Sequence, residues 1–387
     1  MVEALGMSRV RPYAPLKTRS PAITFLGKGP RLPHVSSEPP ALGKVASKPR
    51  DEAVTLNPRH HHNSAMATLQ EQVAVDDAGS DVFVSRVLPD RMGNARNIAY
   101  GGCALGNGIS AAYETVSPNY LLYTVTGNYL GPALTDRKLI CSVRRVRDTR
   151  TFATRLIEIS QDRDDGKTRP CMILLADFQV KEKTSMLVYS APPSIRYSPA
   201  EACPNIQDGT ADLVRRGVVS EQQRQAYLKT FSFNDRLVES RLTPEGVSSN
   251  NLLGLAKKAK TPQEDLPITS KTSAEWFRSR HPIDRPQDRF AGLGFVMDGA
   301  IAFIPLTHNR MFLDDSSACS SLDIALRFFT GDLDLDKWHL REWKTSSGSD
   351  GRTYSEARLW DDDGNMVASM TQQSIMRPAE VPARASL

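Results

Sequence analysis

The apolar-rich run VFVSRV from Val82 to Val87 reads as a strand, whose period of two sends every second side chain to one face. The pair Gly101 and Gly102 then opens a different pattern. From Cys103 the run CALGNGISAAYETV is rich in small and apolar residues and carries no charge before Glu114. A helix this apolar must be enclosed on most of its sides. Three strand-like runs follow, Leu139 to Val146, Phe152 to Ile159 and Cys171 to Val180, the last two joined through the turn-forming Asp164, Asp165 and Gly166. One enclosed helix followed by a strand meander predicts a sheet curling around that helix.

The order then repeats. An apolar segment from Leu293 to Leu306, LGFVMDGAIAFIPL, precedes strands near Trp338, Tyr354 and Val367, and the last pair again turns at Asp363-Gly364. NYLGPALTDRKL from Asn128 aligns without gaps with RFFTGDLDLDKW from Arg327, matching Tyr129 with Phe328, Leu134 with Leu333 and Lys138 with Lys337. A duplicated unit follows from this order. Glu182 to Lys229 reads as a tether with one helix around SEQQRQAYLKTF, and the polar, lysine-rich stretch from Thr243 to Ser270 reads as a long exposed loop. The predicted organisation is a tail over 1–65, a first unit over 66–183, a linker over 184–228, a second unit over 229–380 and a short tail over 381–387.

Charge divides the chain differently. Residues up to Ser64 hold ten Lys or Arg against four Asp or Glu, 10 − 4 = +6, which leaves 39 − 40 = −1 for the remainder. The body is therefore not the basic surface that nucleic acid requires. The tail also holds nine prolines and no sustained periodicity, which predicts disorder and argues against the amphipathic helix of a mitochondrial transit peptide. No apolar run approaches membrane-spanning length.

The five cysteines, Cys103, Cys141, Cys171, Cys203 and Cys319, are scattered, and three of the seven histidines are the tail run His60, His61 and His62. Neither a disulfide framework nor a metal site is expected from these spacings. There is no GxSxG elbow, no GxGxxG after a strand and no Walker lysine, which excludes the usual hydrolase triad and nucleotide folds. No cofactor is expected.

Three polar residues in apolar surroundings are the candidates for chemistry. Asp298 lies in FVMDGAIAFI, with no Lys or Arg between Arg289 and Arg310. A buried carboxylate needs partners or takes up a proton. Aspartate is also a preferred helix N-cap, and the two roles are compatible. In NMVASMTQQSIMR, alternation puts Gln372 on one inward face with Met366, Ala368, Met370 and Met376. A neutral amide there can hold a water or a carbonyl oxygen at no charge-burial cost. Ser321, in SACSSLDIALRF, enters a strand, where a turn or cap serine is the ordinary reading.

Taken in order, the motifs resemble the acyl-CoA thioesterase II family. Tyr100-Gly101-Gly102 with Glu114-Thr115-Val116 resembles its helix entry and end, and Asn128-Tyr129-Leu130 with Pro132 its aromatic-Leu-x-Pro strand end. Arg147-Asp148 with Phe152, and Asp177-Phe178-Gln179, are similar to two further motifs. The resemblance implies an α+β tandem double hotdog and an acyl-CoA substrate. It also implies pairing of sheet edges between copies. A hotdog dehydratase would carry a histidine on its active helix, but His308 lies beyond Pro305 and neither apolar helix contains one.

The resemblance places the family's water-orienting Asp, Thr and Gln on Asp298, Ser321 and Gln372. It places the substrate-facing helix start on Gly101, Gly102 and Cys103. Ser321 keeps the hydroxyl of threonine without its methyl, Ile324 replaces the family's His, Arg327 its Trp, and Gly299 follows the aspartate. Two other functions share the fold: an enzyme of specialised metabolism acting on a CoA- or carrier-bound acyl chain, and an acyl-CoA binder without hydrolysis. The C-terminal Ala-Ser-Leu lacks the basic middle residue of a Ser-Lys-Leu signal.

Overall fold

The computed structural model describes residues 67–93 and 96–379, so the expected tails over 1–65 and 381–387 lie outside the described residues. The first half comprises α1 (Leu69–Val73), β1 (Val75–Asp77), β2 (Val82–Ser85), α2 (Gly101–Tyr113), β3 (Tyr120–Tyr129), β4 (Ile140–Asp148), β5 (Phe152–Asp162) and β6 (Thr168–Val180). Helices α3 (Ile206–Arg215), α4 (Glu221–Thr230) and α5 (Ser232–Leu237) lead into the second. That half comprises β7 (Val238–Leu242), α6 (Val247–Asn251), β8 (Ser273–Ser279), α7 (Pro286–Met297), α8 (Ile304–His308), β9 (Ser316–Ser321), β10 (Asp323–Phe328), β11 (His339–Ser349), β12 (Arg352–Trp360) and β13 (Met366–Pro378).

The expected duplication is visible in the strand order of the single antiparallel sheet, β1-β2-β4-β5-β6-β3-β10-β13-β12-β11-β8-β7, which reads the same from either end. Each half inserts its enclosed helix after β2 or β8. The halves join where β3 pairs with β10, Asp323 opposite Asn128 and Arg327 opposite Thr124. Tyr129 ends β3 and Phe328 ends β10, so the gapless match reflects structural equivalence.

Helices α2 and α7 pack against each other beneath the sheet. Small residues bring their backbones close. A Cβ on Gly102 would lie 2.5 Å from the Phe295 carbonyl oxygen and 2.4 Å from the Tyr100 ring. The carbonyl belongs to α7 and cannot swing away, so overpacking here strains the helix pair. Gly102→Ala is expected to cost about 1–3 kcal/mol of unfolding free energy, read from the urea midpoint at unchanged slope.

One motif serves the fold. Arg155, 1% exposed, donates to the Thr115 hydroxyl (2.8 Å) and carbonyl (2.9 Å), to the Arg147 and Thr154 carbonyls (3.0 Å each), and to Asp148 (2.6 Å). A buried guanidinium is tolerated only when its donors are satisfied in this way.

Three expectations are corrected. The stretch from Thr243 to Ser270 is not an exposed loop: Val247, Leu252, Ala256 and Ala259 are buried, and the last three pack with Leu213 and Tyr227 of the linker. Gln263 fixes its far end by donating to the Glu245 carbonyl and accepting from the Thr272 N–H, each at 2.7 Å. The linker holds α3 as well as the expected helix, and α4 runs through the boundary placed at 228. In β13 a bulge opposite Leu359 and Trp360 changes the pleat phase, and Met366 packs with Trp360 on the face opposite Ala368 and Met370.

Candidate functional site

Helix α7 ends at Asp298, its C-cap, which corrects the N-cap expectation. The apolar run from Leu293 to Leu306 spans the end of one helix and the start of another. Left-handed backbone at Ala300 (φ 68°) turns the chain between them. A carboxylate at a helix C-terminus faces the wrong end of its own dipole. Here it also meets the N-terminus of α2, where the nearby Gly102 N–H favours its charged form. Gly101 makes that approach possible, because a Cβ there would lie 2.8 Å from Asp298 Oδ2.

Asp298 is 6% exposed and is bonded by neutral donors. Gln372 Nε2 donates to Oδ1 at 2.9 Å and the Tyr129 hydroxyl donates to Oδ1 at 3.1 Å, and the Ser321 hydroxyl lies near enough to the carboxylate to favour its charged form. Gln372 is fully buried, and its carbonyl accepts from Ser374 Oγ at 3.3 Å, which turns the amide NH2 toward Asp298. Burial pushes the Asp298 carboxyl above its ordinary value, and Gln372, Tyr129, Gly102 and Ser321 pull the other way. Burial beside that carboxylate holds the Tyr129 phenol well above its usual range, so it remains a donor.

The sequence-derived residues are thus distributed as follows. Asp298, Ser321 and Gln372 converge with Gly101 and Gly102. Cys103 is turned into the core, its Sγ 3.9 Å from Gln72 Nε2 and 3.8 Å from the Asp90 carbonyl, its N–H bonded to the Tyr100 carbonyl at 3.0 Å, and its thiol pushed up to about 12 by burial. Sequence reasoning missed Tyr129. The available signal was its alignment with Phe328, which lacks the hydroxyl.

The duplication supplies an internal control. Glu114 caps α2 as Asp298 caps α7, but it is tied to Arg285 at 2.6 Å. Tyr129 lies opposite Met172 and Phe328 opposite Ala368; the same step along each strand takes Met172 to Ala176 and Ala368 to Gln372. The symmetry-related position, built from Glu114, Phe328 and Ala176, therefore offers an ion-paired acid, a phenyl ring and a methyl group in place of a donor-ringed acid, a phenol and an amide.

Comparison with known proteins finds matches to both halves of the chain. A model of the acyl-CoA thioesterase N-terminal domain matches residues 88–179, and one of the C-terminal domain matches residues 223–376. Acyl-CoA thioesterase 2 of Haemophilus influenzae is 21% identical over 284 residues, covering 73% of this chain and 88% of that protein. Among solved structures, an acyl-CoA thioesterase II from Mycobacterium marinum superposes with a TM-score of 0.57 at 19% identity, covering 81% of this chain and 99% of that one. A hotdog-fold protein of unknown function from Alicyclobacillus acidocaldarius gives 0.58 at 15% identity, covering 81% and 98%. At these identities the structural likeness establishes the hotdog fold.

Proposed function

The chain belongs to the acyl-CoA thioesterase II family and is a thioester hydrolase, and we propose that it cleaves acyl-CoA to a carboxylic acid and CoA with a water activated by Asp298. The observation that carries this reading is a buried carboxylate bonded by neutral donors at the N-terminus of a helix. Such an acid retains its charge without a neutralising cation and can accept a proton.

In this mechanism, the Gln372 amide and Ser321 hydroxyl orient the water, and Asp298 takes its proton as the oxygen attacks the thioester carbonyl. The positive end of α2 favours the oxyanion of the tetrahedral intermediate. Collapse breaks the C–S bond, and the proton held by Asp298 passes to the departing thiolate. Substrate and water are thereby converted to acid and thiol without a redox step. Copies of the chain would pair through β1 or β7, the terminal strands of the sheet. Among the described residues no helix is long and apolar enough to cross a membrane.

A single turnover in 18O-labelled water tests the reaction path. Water attack places the label in the released acid and none in the protein. Label in the Asp298 carboxylate, found by peptide mass spectrometry, would instead require an acyl-aspartyl anhydride and overturn the general-base role.

A further inference from the structure

The phenol of Tyr129 is bonded to Asp298 but takes no part in the proton transfers assigned to it. Its hydroxyl donates to Oδ1 at 3.1 Å, and Gln372 Nε2 donates to the same oxygen at 2.9 Å. A carboxylate oxygen offers about two lone-pair sites, so these two donors fill Oδ1. The other oxygen faces the start of α2. A Cβ on Gly101 would lie 2.8 Å from Asp298 Oδ2 and 3.0 Å from the Tyr129 hydroxyl. Glycine at this position lets the carboxylate and the phenol close over the same stretch of backbone.

The main chain of Tyr129 serves the same cluster. Its N–H donates to the Leu322 carbonyl at 2.9 Å, and the Leu322 N–H donates to the Gln373 carbonyl at 2.8 Å. Leu322 is the single residue between β9, which ends at Ser321, and β10, which starts at Asp323. This relay ties β3 to the chain neighbours of both Ser321 and Gln372. Tyr129 is thus joined through its side chain to the base and through its backbone to the two residues that orient the water.

The duplication shows that packing does not require the hydroxyl. Phe328 holds the equivalent place at the end of β10, 5% exposed, with its ring 5.1 Å from that of Phe290. There the acid, Glu114, is held by the Arg285 guanidinium. Where the acid is bonded by neutral donors instead, the ring carries a hydroxyl. Burial keeps that phenol protonated, as it does Tyr100, and pushes the Cys103 thiol up to about 12. Asp298 is therefore the group of this cluster that titrates on the acid side.

We propose that Tyr129 is a positioning residue for hydrolysis: with Gln372 it holds Oδ1, which fixes the carboxylate and leaves Oδ2 as the oxygen that receives the proton of the attacking water. The inference rests on Asp298 acting as the base and specifies which of its oxygens does so. Without the phenol the carboxylate could turn about its Cβ–Cγ bond, and the alignment of base and water on which the rate depends would be lost.

Tyr129→Phe in the full chain keeps the ring and removes the donor. The substrate is whichever saturated acyl-CoA, from acetyl to palmitoyl, the native chain hydrolyses fastest. The value of kcat is expected to fall about tenfold or more, the scale of a hydrogen bond to a charged group, while KM stays within about threefold. The acid limb of kcat should move to higher pH, because deleting a donor to the carboxylate favours its protonated form. The 13Cγ resonance of Asp298, assigned by its loss in Asp298→Asn, should likewise titrate at higher pH in the variant than in the native chain, with melting temperature as the control for folding.

An unchanged or raised kcat would place the proton on Oδ1, freed by the substitution, and overturn the proposal. A lower kcat with the limb and the resonance unmoved would overturn it too, as would a rise in KM alone, since the hydroxyl would then act on fold or substrate rather than on Asp298. A native chain that released no CoA would overturn the hydrolytic reading and this role with it. Normal native hydrolysis beside a variant unchanged in kcat and titration would overturn the role alone.

Discussion

Asp298→Ala is expected to lower kcat/KM for acyl-CoA hydrolysis by about a thousandfold, the scale at which positioned proton transfer contributes. The loss follows from the geometry: the Gln372 and Tyr129 bonds at 2.9 and 3.1 Å converge on the Oδ1 atom that the substitution deletes. Asp298→Asn separates charge from shape, because an amide of nearly the same size cannot take the water's proton. Both variants should bind substrate and melt cooperatively while releasing little CoA in a thiol-trapping assay. An Asn variant that retained more than about a tenth of native turnover would remove Asp298 as the base.

The pH dependence has a definite sign. A base must be unprotonated to act, so activity is lost as pH falls through the Asp298 pKa, and that pKa lies above the ordinary aspartate value of 3.8 because of burial. The acid limb of native kcat/KM should therefore lie higher than for an exposed aspartate. Stability changes in the opposite sense. Between the unfolded value and the raised folded value the native state binds more protons, so this group's contribution to stability decreases as pH rises through that interval.

Much of this arrangement was legible from pattern, and the parts that were not have identifiable physical reasons. Strand alternation and a charge-free helix are local signals, and their recurrence in one order disclosed the duplicated sheet. Gln372 was legible for the same reason, as a polar residue in phase with Ala368 and Met370. Phase alone could not detect the bulge opposite Leu359 and Trp360 that places Met366 on the other face. The stretch from Thr243 to Ser270 reads as solvated because its apolar residues are few. Leu252, Ala256 and Ala259 nevertheless find Leu213 and Tyr227, partners remote in sequence. Tyr129 comes near Asp298 only through the crossing of α2, α7 and the sheet, so no spacing along the chain could associate the two.

Gln372→Leu should reduce turnover about a hundredfold, within the range for losing one preorganised donor, and should also move the acid limb to higher pH. Leucine preserves most of the buried volume but removes the 2.9 Å bond to Asp298 Oδ1 and the acceptor for Ser374 Oγ. A bond donated to a carboxylate favours its charged form, so deleting one raises a pKa that burial has already raised. Lower maximal rate and a higher acid limb together report two roles of one amide, orienting the water and stabilising the base. A decrease in rate with the limb unchanged would leave only the first. Gln372→Glu provides the opposing test, because a second carboxylate in hydrogen-bond range of Asp298 would share one proton with it and titrate as a coupled pair. Its activity should consequently be low near neutral pH, even though glutamate matches glutamine in shape.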